Sequence, residues 1–287
     1  MEKYLYSQLY EMISQAGSFC YQSQDSVIGV ICPLTHIWIR RDIEKDRLRN
    51  CSTIMDTQLF FREFLKRFSK QVNGDFPRLT GIVAEDDIAM ACAEEYAAVY
   101  AKKNSQADSV AYSTRKMIGY CLPSPRLLLS KSNVAMYEFA KAGIDDMITV
   151  AQWLSDFYAE TLRTAPVDML KQKKKDKSEL IADKDSNRKN ETRTQLYVLR
   201  HDRIPVAMGM IAKGAGDTSR INLVYTPPQF RNKGYGKALM SGLVNTVFVS
   251  GKTPVLYTHD DNIQGNQLYQ SLGFLESGRL LEVKFTF

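Results

Sequence analysis

Apolar positions recur along this chain with two periods, and the switches between them divide it into candidate elements. Tyr4 to Met12 carries helical spacing, whereas Val27 to Cys32 and Thr35 to Ile39 are short strand-like runs. In Met55 to Phe68, the residues Leu59, Phe60, Phe64, Leu65 and Phe68 fall three and four apart, which predicts an amphipathic helix. Leu79 to Ala84 reads as a strand. Asp86 or Asp87 then supplies a cap for a helix over Ile88 to Ala101, and Met117 to Leu122 is another apolar strand. Pro123-Ser124-Pro125 interrupts the pattern, because proline disfavours helix before it and two so close together mark a turn or linker. The expected division is an N-terminal α/β domain over 1–127 and a second domain over 128–287.

The second half opens with a strand around Ala135 to Phe139. A helix capped by Asp145 follows, with Ile148, Ala151, Trp153, Leu154 and Phe157 on its buried face. Gln195 to Leu199 and Pro205 to Ile211 flank His201-Asp202-Arg203, a hairpin pattern. Next come a strand over Ile221 to Tyr225, a basic glycine turn, and a helix over Lys237 to Val249. Val255 to Thr258 is a strand, Gly265 to Leu272 a short helix, and Leu280 to Phe287 an alternating terminal strand. This order suits an α/β (α+β) fold: a mixed central sheet flanked by helices.

Composition narrows the function classes. Hydrophobic residues make up 44% and charged residues 24%, an ordinary globular balance. No run approaches the roughly 20 apolar residues that span a bilayer. Met1-Glu2-Lys3-Tyr4-Leu5 lacks the basic and apolar segments of a secretory signal, so cytoplasm is the expected location. The five cysteines, Cys20, Cys32, Cys51, Cys92 and Cys121, are scattered and odd in number, which argues against a disulfide framework. With His36, His201 and His259 they form no zinc-ligand spacing. The formal charge of +6 is compatible with anionic ligands. Much of it sits in Lys171 to Lys177, where no aromatic residue interleaves with the lysines. That run reads as a solvated face or connection, and no nucleic-acid partner is expected.

Arg231-Asn232-Lys233-Gly234-Tyr235-Gly236 lies between a strand and a helix, where backbone N–H groups and a helix N-terminus converge on one point suited to phosphate. Lys237-Ala238 after the last glycine fails the nucleoside-triphosphate motif, and Leu239 stands where a dinucleotide motif needs its third glycine. A tight turn with a basic flank explains the local residues equally well.

The context adds more. Tyr225 to Leu239, with Arg231, Gly234 and Gly236 as its core, closely resembles the acetyl-CoA pyrophosphate motif of GCN5-related N-acetyltransferases (GNAT). Asn262 to Phe274, with Asn262, Asn266, Tyr269 and Gly273-Phe274, resembles the family's late helix, although Gly265 stands where alanine is common. The resemblance covers roughly 130–287. It implies acetyl-CoA as cofactor, lying between parallel strands Ile221 to Tyr225 and Val255 to Thr258. Val224 and Tyr225 would hold the pantetheine arm, and Asn232, Lys233, Gly234, Tyr235, Gly236 and Lys237, with Arg231, the pyrophosphate. Asn262 or Asn266 would bond the pantetheine side. A backbone donor at Val224 would stabilise the oxyanion, and Tyr269 would serve the leaving sulfur as general acid. The strand before the turn lacks the carboxylate that often acts as base, leaving Asp260, His259 or water. The implied reaction is direct acetyl transfer to a primary amine of a small molecule or peptide. The alternative is a non-catalytic CoA-binding sensor or interaction module. The N-terminal domain is open to three readings: a degenerate relative of the same fold, a wall of the acceptor cleft, or a subunit contact in a homodimer.

Overall fold

Residues 19–22, 27–31, 36–41, 53–71, 78–103, 110–124, 137–162, 194–214 and 216–287 are described by a computed structural model. The helix expected over Tyr4 to Met12 and the Lys171 to Lys177 run lie outside the described residues. The first half begins with an antiparallel meander, β1 (Phe19–Gln22), β2 (Val27–Ile31) and β3 (His36–Arg41). Helix α1 (Thr53–Gln71) leads to β4 (Gly81–Ala84), parallel to β3, and α2 (Asp86–Lys103) leads to β5 (Ala111–Cys121). After β6 (Tyr137–Lys141) and α3 (Met147–Leu162), a second antiparallel meander follows: β7 (Gln195–His201), β8 (Ile204–Lys213) and β9 (Thr218–Tyr225). Helix α4 (Tyr235–Val249) leads to β10 (Thr253–His259), parallel to β9, and α5 (Ile263–Ser271) leads to β11 (Leu275–Thr286). The order of three strands, helix, strand, helix, strand therefore occurs twice.

All these strands join one sheet in the order β1-β2-β3-β4-β11-β5-β10-β9-β8-β7-β6. The last strand of each half thus lies beside the other half: β11 pairs with β4, and β5 pairs with β10. The two also pair with each other, from Leu275↔Cys121 to Thr286↔Ala111. The proline break at Pro123 is a break in the chain's course and not in the sheet.

Cross-strand partners share a face, which locates the cores. Tyr112 sits opposite Phe285 and packs on the core of α1 and α2, while Ile118, on the same face of β5, enters the core of α4 and α5. Those four helices therefore cover one face. Helix α3 covers part of the other, where Val150, Trp153 and Leu154 meet Leu196, Val198, Met208 and Tyr225. Along β7, Leu196 and Val198 point to α3, and Tyr197 and Leu199 to the α4 side, which is why this strand is apolar at successive positions.

Several local expectations shift. Asp146, not the exposed Asp145, closes the turn into α3: its Oδ2 accepts the Gly143 N–H at 2.7 Å, and its carboxylate is ion-paired to Arg200. A 3-10 turn over Ile144–Asp146 rotates the helical phase, leaving Ile148 87% exposed and Val150 buried in its place. Leu59 is likewise exposed on α1, while Phe60, Phe64, Leu65 and Phe68 are buried. Helix α2 starts earlier than predicted, with Glu85 O accepting from Ala89 N. Asp86 and Asp87 lie in its first turn, where their charge favours the helix dipole, rather than at the cap. Asp202 and Arg203 form the expected two-residue hairpin turn, both left-handed (φ 51° and 65°). Among the described residues, no helix is long and apolar enough to cross a membrane.

Candidate active site

β9 and β10 begin as neighbours and then part. Their parallel rungs are Thr218↔Thr253, Ser219↔Pro254 and Arg220↔Val255, although β9 continues to Tyr225 and β10 to His259. Each is held on its far side. β5 pairs with β10 from Val255↔Cys121 to His259↔Met117, and β8 pairs with β9. The β8–β9 register advances from Met210↔Asn222 to Met208↔Tyr225, so Gly209 alone faces Leu223 and Val224. Leu223 is left-handed (φ 50°), a conformation that one class of bulge uses. The bulge bends β9 away from β10 and frees backbone groups at Leu223 and Val224 from the ladder, at the opening between the two strands.

At the end of β9 a 3-10 turn over Pro228–Phe230 leads to Asn232 (φ 60°) and Gly234 (φ 81°), both left-handed. Gly234 precedes α4, whose first intrahelical bond is Ala238 N–H to Gly234 O. Among the described residues no side chain caps this helix, and no acid lies in its first turn. Its leading N–H groups are therefore available to an anion. A Cβ at Gly234 would meet nothing within 4 Å, so the space above it is open. The Tyr235 side chain is turned inward, its hydroxyl 2.8 Å from His201 Nδ1. Lys233 Nζ lies over the Phe230 ring at 5.9 Å, and Lys237 is exposed at the mouth of the turn.

On α5 the two asparagines differ. Asn262 is the N-cap: Oδ1 accepts from Gly265 N at 3.2 Å, and Nδ2 donates to Thr258 Oγ1 at 3.0 Å. A Cβ at residue 265 would collide with the Asn262 side chain, which accounts for the glycine there. Asn266 donates from Nδ2 to the carbonyls of His259 and Asp260 at 3.1 and 3.2 Å, and its buried Oδ1 has no partner among the described residues. That orphaned acceptor fits an amide N–H of a pantetheine arm. Tyr269 is 8% exposed against the rings of Tyr120 and Phe274, with no hydrogen bond to its hydroxyl among the described residues. Burial, with a smaller contribution from Tyr120, pushes its pKa up to about 12, so the phenol stays protonated.

The model of the FR47-like protein family matches residues 199–281, a span that contains the bulge, the open turn and α5. The fold of the chain recurs over nearly its whole length in solved structures, GNAT acetyltransferases among them. One is a GCN5-related N-acetyltransferase from Kribbella flavida, 13% identical with a TM-score of 0.57, covering 97% of this chain and 92% of that one. Another is a functionally unknown conserved protein from Staphylococcus epidermidis ATCC 12228, 10% identical with a TM-score of 0.57, covering 95% and 96%. A third is an acetyltransferase from the GNAT family of Colwellia psychrerythraea, 12% identical with a TM-score of 0.50, covering 94% and 85%. At these identities the likeness is one of fold. No curated protein matches the sequence.

Two charged groupings around this opening carry no signal as groupings in the sequence, because their members come from distant elements. Glu160, near the end of α3, accepts from Tyr225 Oη at 2.9 Å through one oxygen and from Arg231 Nη2 at 2.6 Å through the other. Arg231 Nε also donates to Thr226 O at 2.9 Å, so its guanidinium is folded back along the turn. Burial and this carboxylate push the Tyr225 pKa up to about 12. The second grouping is His259, at the end of β10, whose Nε2 lies 3.1 Å from Glu282 Oε2 on β11. Cys92 and Cys121 are buried thiols outside any disulfide, and burial raises both, which suits packing and not nucleophilic chemistry.

Proposed function

We propose that the chain is an acetyl-CoA-dependent N-acetyltransferase, with its cofactor-binding residues within 128–287, that acts on a primary amine by direct transfer in a ternary complex. The observation that supports this most is the opening of β9 from β10 at a bulge, bounded by an uncapped, glycine-led helix N-terminus. The leading N–H groups of α4, with Asn232, Lys233 and Lys237, would hold the pyrophosphate. Val224, Tyr225 and Asn266 Oδ1 would hold the pantetheine arm. Asn262 serves that arm indirectly, by fixing the start of α5. Acetyl-CoA supplies an acyl group already activated as a thioester.

The Val224 N–H would donate to the carbonyl oxygen as charge develops there, the usual role of a backbone donor beside an acyl centre. Tyr269 would donate to the sulfur. A phenol near pKa 12 stands several units above a thiol of about 8.5, so its contribution is a hydrogen bond to the nascent thiolate more than a completed proton transfer.

The test is release of free CoA thiol from acetyl-CoA with a panel comprising a polyamine, an Nα-capped lysine and an arylamine. Calorimetric acetyl-CoA binding is measured in parallel. Turnover with any amine supports the reading. Binding without turnover favours the second reading, a CoA-binding sensor, for which the missing carboxylate on Ile221-Asn222-Leu223-Val224-Tyr225 argues. Absence of binding overturns both.

A further inference from the structure

We infer that His259, oriented by Glu282, is the base that takes the proton of the acceptor amine; this rests on the acetyltransferase reading above. Position along the strands is the first argument. From the last shared rung, Arg220↔Val255, four residues along each strand reach Val224 and His259, so the histidine stands level with the bulge across the opening. Face is the second. Leu256 packs into the core of α4 and α5, and Thr258 holds Asn262 of α5. Alternation along β10 then places Tyr257 and His259 on the opposite face, the one onto which Tyr225 and α3 pack. On β11, Leu281, Val283 and Phe285 enter the helix-side core, which puts Glu282 on the same face as His259.

The contact assigns the tautomer. Glu282 Oε2, 3.1 Å away, accepts from Nε2–H, which leaves the Nδ1 lone pair to accept a proton. The imidazole makes no further hydrogen bond among the described residues. His259 and Glu282 side chains are 20% and 13% exposed, reachable but mostly withdrawn from water. The other charged groups nearby are Lys284, 3.7 Å from the same Glu282 oxygen, Asp260 on the same strand, and the Arg115–Asp261 pair, which also ties β5 to Thr161 O of α3. Glu160, the carboxylate beside Tyr225, has both oxygens engaged already. Two residues before His259 on the same face, Tyr257 meets the Trp38 ring of β3 edge-on at 5.3 Å, so the first half of the chain supplies an aromatic wall beside this base.

The step balances without a further reactant. The acceptor ammonium passes one proton to His259 Nδ1, the freed nitrogen attacks the thioester carbonyl carbon, and its second proton leaves to solvent as the tetrahedral adduct collapses. The C–N bond forms, the C–S bond breaks, and the electron pair leaves on sulfur. The thiolate accepts a hydrogen bond from Tyr269 and takes up a proton from solvent, to which His259 returns its own.

The test uses the full chain and two readouts. In the first, His259 of the free protein is carbethoxylated by diethylpyrocarbonate, followed by peptide mass spectrometry, and saturating acetyl-CoA slows the modification severalfold. In the second, His259→Gln lowers acetylation of the alkylamines at pH 7 by about 10²-fold or more. That deficit narrows as pH rises toward the amine's own pKa of about 10.4, whereas acetyl-CoA affinity stays within a few-fold. Glu282→Gln, which removes the carboxylate that fixes the tautomer, also lowers turnover, by no more than His259→Gln does. Undiminished turnover in His259→Gln, a deficit independent of pH, or carbethoxylation indifferent to acetyl-CoA would overturn the assignment and leave the acetyltransferase reading standing. A wild-type protein that binds acetyl-CoA but acetylates no amine overturns both.

Discussion

A methyl group added at Gly236 would touch Leu268 Cδ2 at 3.5 Å and Thr226 Oγ1 at 3.6 Å, ordinary packing distances, and the residue needs no left-handed backbone. Folding therefore gives no reason for glycine there, and replacing it in a helix's first turn is neutral or stabilising, by at most about 1 kcal/mol. Cofactor approach does give a reason. Gly236→Ala is expected to keep or slightly raise the melting temperature while weakening acetyl-CoA binding about tenfold, or about 1.4 kcal/mol. Equal affinity by calorimetry would mean that the turn does not meet the pyrophosphate. Tyr269 is the second residue with a separable role. Tyr269→Phe should lower kcat by about 10²-fold with acetyl-CoA affinity nearly unchanged. Because the phenol titrates only near pH 12, the limbs of the pH–rate profile between about pH 6 and 10 should keep their positions and lose only height. A limb that vanishes in this variant would mean that Tyr269 titrates at the lower pH.

Elements of the second half were legible in the sequence because each strand or helix has its own period and its own punctuation. His201-Asp202-Arg203 and the glycine turn before α4 mark real boundaries, whereas α5 begins two residues ahead of the expected Gly265, capped by the Asn262 side chain. What local pattern did not carry was phase and pairing. Asp145 and Asp146 are equivalent by propensity, and only the approach of Arg200, 54 residues away, selects the second. Glu282 occupies a polar position on an alternating strand, and nothing in that alternation indicates that His259 reaches it across β5. Asp146 also shows what such a long-range contact contributes to an element. Its carboxylate accepts from Arg200 Nη2 at 2.7 and 2.6 Å and is 5% exposed, and it fastens the start of α3 to β7. Asp146→Ala leaves a mostly buried guanidinium with only the exposed Glu138, so a loss of about 3 kcal/mol is expected. A urea midpoint that falls with an unchanged slope would report this; a midpoint within error of wild type would show that the pair is offset by its own desolvation.

At the scale of the whole molecule, the opening between β9 and β10 depends on a strand from before the proline break. β5 holds β10 along Val255 to His259, from the last rung that β10 shares with β9 onward, and β11 is clasped between β4 and β5. A chain of residues 128–287 alone would leave one side of β10 and both sides of β11 as open edges, with Leu281, Val283 and Phe285 stripped of the core of α1 and α2. Such a piece is expected to aggregate and to bind no acetyl-CoA, however complete its own motifs are. Cutting the chain without removing either half makes the sharper experiment. A protease site introduced after Pro125, cleaved to completion in the folded protein, should leave the two fragments co-eluting as one species under native conditions, with acetyl-CoA affinity retained. They should separate only in denaturant, because the exchanged strands bury each fragment's last strand in the other. Fragments that part spontaneously, with the 126–287 piece still binding acetyl-CoA, would show that β5 is dispensable to the opening and that the second half stands by itself.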